Sequence, residues 1–160
     1  MEDKAKVRQF LDRQDAWTGE TIRRSGWAIQ YVSGEGDRDP PFAYTVGLFG
    51  LGYPELVVFG MGSGDSAGVL NDVAGRVRGG ERVVPGDLVT FTDWPHRLHV
   101  LPLVNSAEVL FAANRFYRRP DHDPVPALQL VWDDTEGRFP WEPDYAAPRW
   151  LQPLPGTFRA

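Results

Sequence analysis

Phe42-Ala43-Tyr44-Thr45-Val46-Gly47-Leu48, followed after a turn at Gly50 to Pro54 by Glu55-Leu56-Val57-Val58-Phe59-Gly60-Met61, decides the fold class. The first run alternates. Phe42, Tyr44, Val46 and Leu48 share one face, and Ala43, Thr45 and Gly47 share the other. Period-two alternation marks a strand, and a face of small residues admits a ligand, a backbone or another layer at close range. The second run is apolar on both faces, as expected of a strand in mid-sheet.

Toward the N-terminus, Trp27 to Val32 is aromatic and β-branched and reads as another strand, with a turn cluster at Gly34 to Pro41. Before it, residues 3–24 carry Val7, Phe10, Leu11, Trp17 and Ile22 near helical spacing, and Ser25-Gly26 closes that helix. Toward the C-terminus, Asp65 to Arg78 predicts a helix with Leu70, Val73, Ala74 and Val77 as its apolar stripe. Strands are expected at 87–92 and 98–104, separated by Asp93-Trp94-Pro95-His96. Ser106 is expected to cap a helix reaching about Tyr117, and a last strand to span 127–132. Five prolines in the 28 residues from Asp133 exclude helix and central strand there, and Trp141, Tyr145 and Trp150 suit a tail pinned across the body. The reading is an α+β fold: one compact domain over 1–160, with a core at about 24–145, an N-terminal helix within 1–25 and an irregular Pro/Trp-rich tail over 133–160. Its sheet is mixed or antiparallel, of about six strands, with about three helices.

Composition narrows the function. A length of 160 residues suits one domain, which buries about two thirds of its extended surface. A net charge of −5 argues against nucleic acid as partner, since that affinity comes from neutralising phosphates. The absence of cysteine excludes disulfides, thiolate metal sites and a thiol nucleophile. No apolar run approaches the roughly 20 residues a bilayer requires, and Met1 to Lys6 has no signal-peptide core, so no membrane association and a cytoplasmic location are expected.

Three strings in order carry a resemblance: Pro41 to Leu48 (PFAYTVGL), Tyr53 to Gly60 (YPELVVFG), and Leu128 to Asp134 (LQLVWDD) with Gly137 to Trp141 (GRFPW). Together with Gly26 to Ile29 and Pro85-Gly86-Asp87, they make the chain similar, over about 24–145, to a bacterial and largely actinobacterial family known as a domain of unknown function. The resemblance implies no reaction and hands over no catalytic residue. It directs attention to the Tyr44-Thr45 strand and the Trp132 to Trp141 segment.

Several constellations invite chemistry. Gly64-Asp65-Ser66-Ala67-Gly68 matches G-x-S-x-G, which would make Ser66 a hydrolase nucleophile served by a histidine such as His99. Ser66 lies five residues past Met61, too far for a tight elbow, and the plainer account has Asp65 or Ser66 capping a helix. Gly62-Ser63-Gly64 opens a G-x-G-x-x-A match that would bring amides to a phosphate, but the acid that should end the next strand is missing. Arg115 and Arg119 could clamp an anion or simply complement a helix C-terminus. His96 and His99 fall on opposite faces of a strand, and no metal site is expected. The aromatic C-terminal segment either seals an apolar face or lines a pocket.

Two classes of function remain open. One is a small-molecule or cofactor-binding domain, with flavin or nucleotide as cofactors to consider and Tyr44, Thr45, Gln129, Trp132, Asp133 and Trp141 as ligand-binding residues. In it, Thr45→Val is expected to weaken the ligand without unfolding the domain. The other is a non-catalytic accessory protein, homodimeric in its simplest form, acting through an aromatic interface. A buried tail favours the first and an exposed tail the second.

Overall fold

The computed structural model describes residues 2–159. Its strands are β1 (Ala28–Val32), β2 (Phe42–Val46), β3 (Glu55–Phe59), β4 (Leu88–Val89), β5 (Leu98–Leu103) and β6 (Ala127–Trp132). Its α-helices are α1 (Glu2–Ser25), α2 (Ser63–Arg78), α3 (Ser106–Val109) and α4 (Phe111–Phe116). The strands form one mixed sheet in the order β1-β2-β3-β6-β5-β4. β3 and β6 run parallel, and the other neighbouring pairs are antiparallel. The α+β reading holds, with a sheet of six strands.

Helix α2 packs on the face carrying Ala43, Leu56, Val58, Leu98, Val100, Leu128 and Leu130, to which it contributes Val69, Leu70, Val73 and Ala74. The opposite face, with Phe42, Tyr44, Val46, Val57, Phe59 and Leu103, is covered by α3, α4, Ile22 of α1 and Phe158 of the tail. The small-residue face of β2 is therefore approached by a helix, with Ala43 fully buried beneath it. Gly47 receives a backbone: at φ +134, a Cβ there would lie 2.9 Å from the Cα of Trp27. Part of the tail beyond Asp133 lies close against the sheet. Gly60, at φ +85, lies so close to Leu151 that a Cβ would sit 2.8 Å from the Leu151 carbonyl oxygen.

Four local expectations need correction. The helix expected over 106–117 is broken at Leu110 (φ −94, ψ 61) into α3 and α4. The break frees the Ala112 N–H to donate to Tyr44 Oη at 2.8 Å, while the Asn114 amide donates to the carbonyls of Ser106 and Leu110. Mid-helix asparagine competing for backbone groups is the signal for it. Ser106 caps nothing, since its hydroxyl donates to the Val125 carbonyl. The strand expected over 87–92 shrinks to Leu88–Val89, because the Thr90 carbonyl accepts from Arg76 instead of a neighbouring strand. Finally, the apolar stripe of α1 is not all core. Residues 3–10 are exposed on every side, Val7 and Phe10 included, because only the second half of the helix lies against the body.

Candidate functional site

The antiparallel register Leu98↔Trp132 between β5 and β6 places residue 97 beside residue 133 at one end of the sheet. Asp133 is buried there and gathers the loop that leads into β5. Its carboxylate accepts from the Arg97 backbone N–H and from Arg97 Nε, both at 3.0 Å. His96 Nδ1 lies 2.7 Å from the Asp133 carbonyl oxygen and 3.2 Å from its carboxylate. Arg97 also donates to the Gly137 carbonyl at 2.8 Å and lies over the Phe139 ring, tying the loop to the start of the tail. A run of aromatic contacts extends from this point. Phe91, Trp94, His96 and Trp132 follow one another with ring centroids 5.2, 4.8 and 5.5 Å apart.

Beside that run a cleft of about 300 Å³ opens between α2 and the 91–94 loop. Phe91 and Trp94 wall it on the loop side. On the helix side Gly64 and Gly68 leave open space where side chains would stand. Three carboxylates, Asp65, Asp72 and Asp93, line it with one cation, Arg76. That cation is engaged: its Nε pairs with Asp72 at 2.7 Å, its Nη2 donates to the Thr90 carbonyl, and its guanidinium lies over the Phe91 ring. The surplus is negative, so the cleft suits a positively charged group with an apolar body, which carboxylates and aromatic faces both attract.

The residues expected from the sequence are distributed as follows. Trp132 and Asp133 belong to this end of the sheet. Tyr44 and Thr45 stand on β2, separated from β6 by β3, with their side chains on opposite faces. The Tyr44 hydroxyl accepts the Ala112 N–H, and burial raises its pKa far above the usual phenol value. Thr45 is fully buried. Its hydroxyl donates to Glu55 Oε1 at 2.8 Å and accepts the Leu56 N–H at 2.9 Å. Gln129 donates to the Pro153 carbonyl, under the tail. Trp141 stacks on Phe139 and meets the edge of His99, on the face of β5 opposite α2.

Ser66 is fully buried inside α2 and donates to the Met61 carbonyl at 3.3 Å, while Gly62 occupies the N-cap, so neither Asp65 nor Ser66 caps that helix. His99 contacts Phe139 and Trp141, and its Nδ1 is buried without a partner among the described residues. Arg115 is held by Asp12 and Asp15 of α1, and Arg119 by Asp123. Gly64 borders the acidic cleft.

Glu55 was not singled out by sequence, yet it is the most heavily bonded side chain of the core. It is fully buried on β3 and accepts from Thr45 Oγ1 and from the backbone N–H groups of Gly47, Leu48 and Phe49 at 2.8–3.2 Å. Burial raises its pKa, with these four donors acting the other way. Tyr117, whose hydroxyl accepts the Gly50 N–H, is pushed up to about 12 by burial and by the Glu55 charge. This carboxylate holds the turn after β2 and faces no cleft. The other features missed are Phe91, Trp94 and the pairing of His96 with Asp133. The signal for that pairing is the strand register, which places 97 beside 133 and which no single segment contains.

Asp134 adds a third anchor. Its carboxylate accepts the N–H groups of Glu136, Arg138 and Ala146 at 2.8–2.9 Å. Burial acts to raise its pKa, but those donors outweigh it and hold the group below the usual carboxylate range. Its stabilising effect is thus full above the unfolded pKa and disappears as pH falls through the lower folded one. Acidification below the ordinary carboxylate range is expected to open the 134–146 segment to proteolysis. Asp134→Asn should open it already at neutral pH. Equal protection of the two proteins at neutral pH would contradict this role.

Fold and site define a helix-covered, six-stranded α+β domain with an acidic, aromatic-walled cleft at one end of its sheet. The chain belongs to the family DUF4262, a domain of unknown function, whose match spans residues 21–146. No curated protein and no solved structure matches the chain. The match takes in every cleft residue as well as His96 and Asp133, and leaves out α1 up to Glu20 and the tail beyond Ala146. Among the described residues, no helix is long and apolar enough to cross a membrane.

Proposed function

We propose that this domain binds a small organic cation, an amine or a guanidine, in the cleft between α2 and the 91–94 loop. The observation that carries the reading is the lining: Phe91 and Trp94 faces opposite bare Gly64 and Gly68, rimmed by Asp65, Asp72 and Asp93, with the one cation already paired. A flavin or nucleotide phosphate would meet carboxylates there and find no free arginine, which favours a cationic ligand over an anionic cofactor. On this reading the pocket is walled by Trp94, which reaches Trp132 only through the His96 ring, and it lies away from Tyr44 and Thr45. The tail buries Phe139 and Gln152 and exposes Trp141, Trp150 and Leu154, so it favours neither the binding reading nor an interface built on that segment.

The test is a fluorescence and thermal-shift titration with putrescine and methylguanidine, with inorganic phosphate as the anionic control. Saturable binding of a cation and none of phosphate is expected. Asp93→Asn should weaken it about tenfold, the effect of losing one charge-assisted contact worth about 1.4 kcal/mol. Trp94→Ala should weaken it further. Binding of phosphate alone, or affinity indifferent to both substitutions, would overturn the reading.

A further inference from the structure

The pairing of His96 with Asp133 has a chemical consequence that binding alone does not use. His96 Nδ1 faces two oxygens of Asp133, a peptide carbonyl and a carboxylate, and both can only accept. Nδ1 must therefore carry a proton, and in the neutral ring the lone pair lies on Nε2. That nitrogen has no hydrogen-bond partner among the described residues and is not among their buried, unpaired atoms, and 17% of the side chain remains exposed. The ring is held on its other sides. Trp94 and Trp132 pack against it, and the Trp132 indole N–H is fixed on the Phe59 carbonyl at 2.8 Å. Asp133 is fixed in turn by two hydrogen bonds from Arg97. Stapling the loop to β6 needs only the arginine. The histidine adds a tautomer fixed by its partner and a basic nitrogen open to solvent, beside a tryptophan that also walls the cleft.

We propose that His96 is the base of a hydrolytic site, with Asp133 as its positioning residue, acting on an ester or amide whose cationic end occupies the cleft. In the step, a water O–H proton moves to Nε2 as the water oxygen bonds to the acyl carbon. The bond from that carbon to the leaving oxygen or nitrogen then breaks, and the proton on Nε2 passes to the leaving group, restoring the neutral ring. Asp133 stabilises the imidazolium formed between the two transfers, as a carboxylate on Nδ1 does in hydrolytic triads. The cationic substrate class rests on the binding reading above. The assignment of His96 rests on hydrogen-bond geometry alone.

The test uses the intact protein and p-nitrophenyl acetate, a neutral ester that does not depend on the charge of the cleft. The wild type is expected to release p-nitrophenolate at least tenfold faster than the same concentration of free imidazole. His96→Gln should abolish the excess, whereas His99→Gln and His122→Gln should keep it. Long-range ¹H–¹⁵N spectra of the wild type should show His96 protonated at Nδ1, a readout that needs no variant to fold. A rate no faster than imidazole, an excess that survives His96→Gln, or a His96 protonated at Nε2 would each overturn the assignment. Hydrolysis without cation binding would leave His96 standing and remove the cleft reading, and cation binding without hydrolysis would do the reverse.

Discussion

Glu55→Ala is expected to cost about 4 kcal/mol of folding stability. Four donors converge on that carboxylate: the Thr45 hydroxyl and the N–H groups of Gly47, Leu48 and Phe49. Each buried donor left without an acceptor costs about 1–3 kcal/mol, and even partial relief by entering water leaves a total near that figure. A domain of ordinary stability has about 5–15 kcal/mol to lose, so the variant would forfeit between about a quarter and four fifths of it. Glu55→Gln is a sharper test, because it preserves shape. One of its two terminal atoms becomes an NH₂ donor, so either the Gly47 and Phe49 N–H groups or the Thr45 and Leu48 donors face another donor. It should lose nearly as much as the alanine variant. Thr45→Val should cost less, about 1–3 kcal/mol, by removing one donor to Glu55 and the acceptor for the Leu56 N–H. On this geometry Thr45→Val acts on folding, through a network that no ligand need touch. Urea denaturation decides the matter: an unfolding free energy for Glu55→Ala within about 1 kcal/mol of the wild type would show the network to be dispensable.

The second large effect concerns the tail. A chain ending at residue 144 is expected to lose cooperative folding. Phe158 packs edge-on against Phe42 and Phe59, and burying such a side chain contributes about 1.5–3 kcal/mol. The more specific contribution is that of Gln152. β3 accompanies β6 only as far as Val57↔Gln129, so the last backbone groups of β6 have no strand beside them on that side. The Gln152 amide takes the place of one: Trp132 N–H donates to its Oε1 at 3.0 Å, and its Nε2 donates to the Trp132 carbonyl at 2.9 Å. Truncation leaves both backbone groups unpaired, strips the Pro153 carbonyl from Gln129, and removes the Ala146 N–H from Asp134. Gln152→Ala alone should cost about 1–3 kcal/mol. A truncated protein with a sharp unfolding transition at the wild-type temperature would show the tail to be an accessory.

Strand periodicity, composition and turn residues made the sheet legible: Phe42 to Leu48 and Glu55 to Met61 lie where alternation and double-sided burial put them. Features that depend on which segments meet were not legible. The break at Leu110 arises because Tyr44 offers its hydroxyl to Ala112 from another layer. The shortening of β4 arises because Arg76, on a helix, takes the Thr90 carbonyl. Val7 and Phe10 keep a helical spacing on a part of α1 that has no surface to cover. The same division holds at the site. Trp132 and Asp133 were named for their chemistry, but their partners His96 and Arg97 follow only from the β5–β6 register, and Asp93 and Trp94 read locally as a turn. Glu55 reads as a polar residue opening an apolar strand until the turn at residues 47–49 is seen folded onto it.

The parallel pair at the centre of the sheet also bears on how the chain folds. β1, β2 and β3 pair as neighbours in sequence, and so do β4, β5 and β6, which makes two antiparallel meanders of short reach. They join along one seam, where Glu55 meets Ala127 across 72 positions. Contacts between distant segments form late and slowly, because the intervening chain must first surrender its freedom. The closing of β3 against β6, the pairing of longest reach in the sheet, is therefore expected to be the slow step of folding. Until that seam closes, the apolar edges of both strands stand open to pairing with another molecule, which makes this step the one most exposed to aggregation.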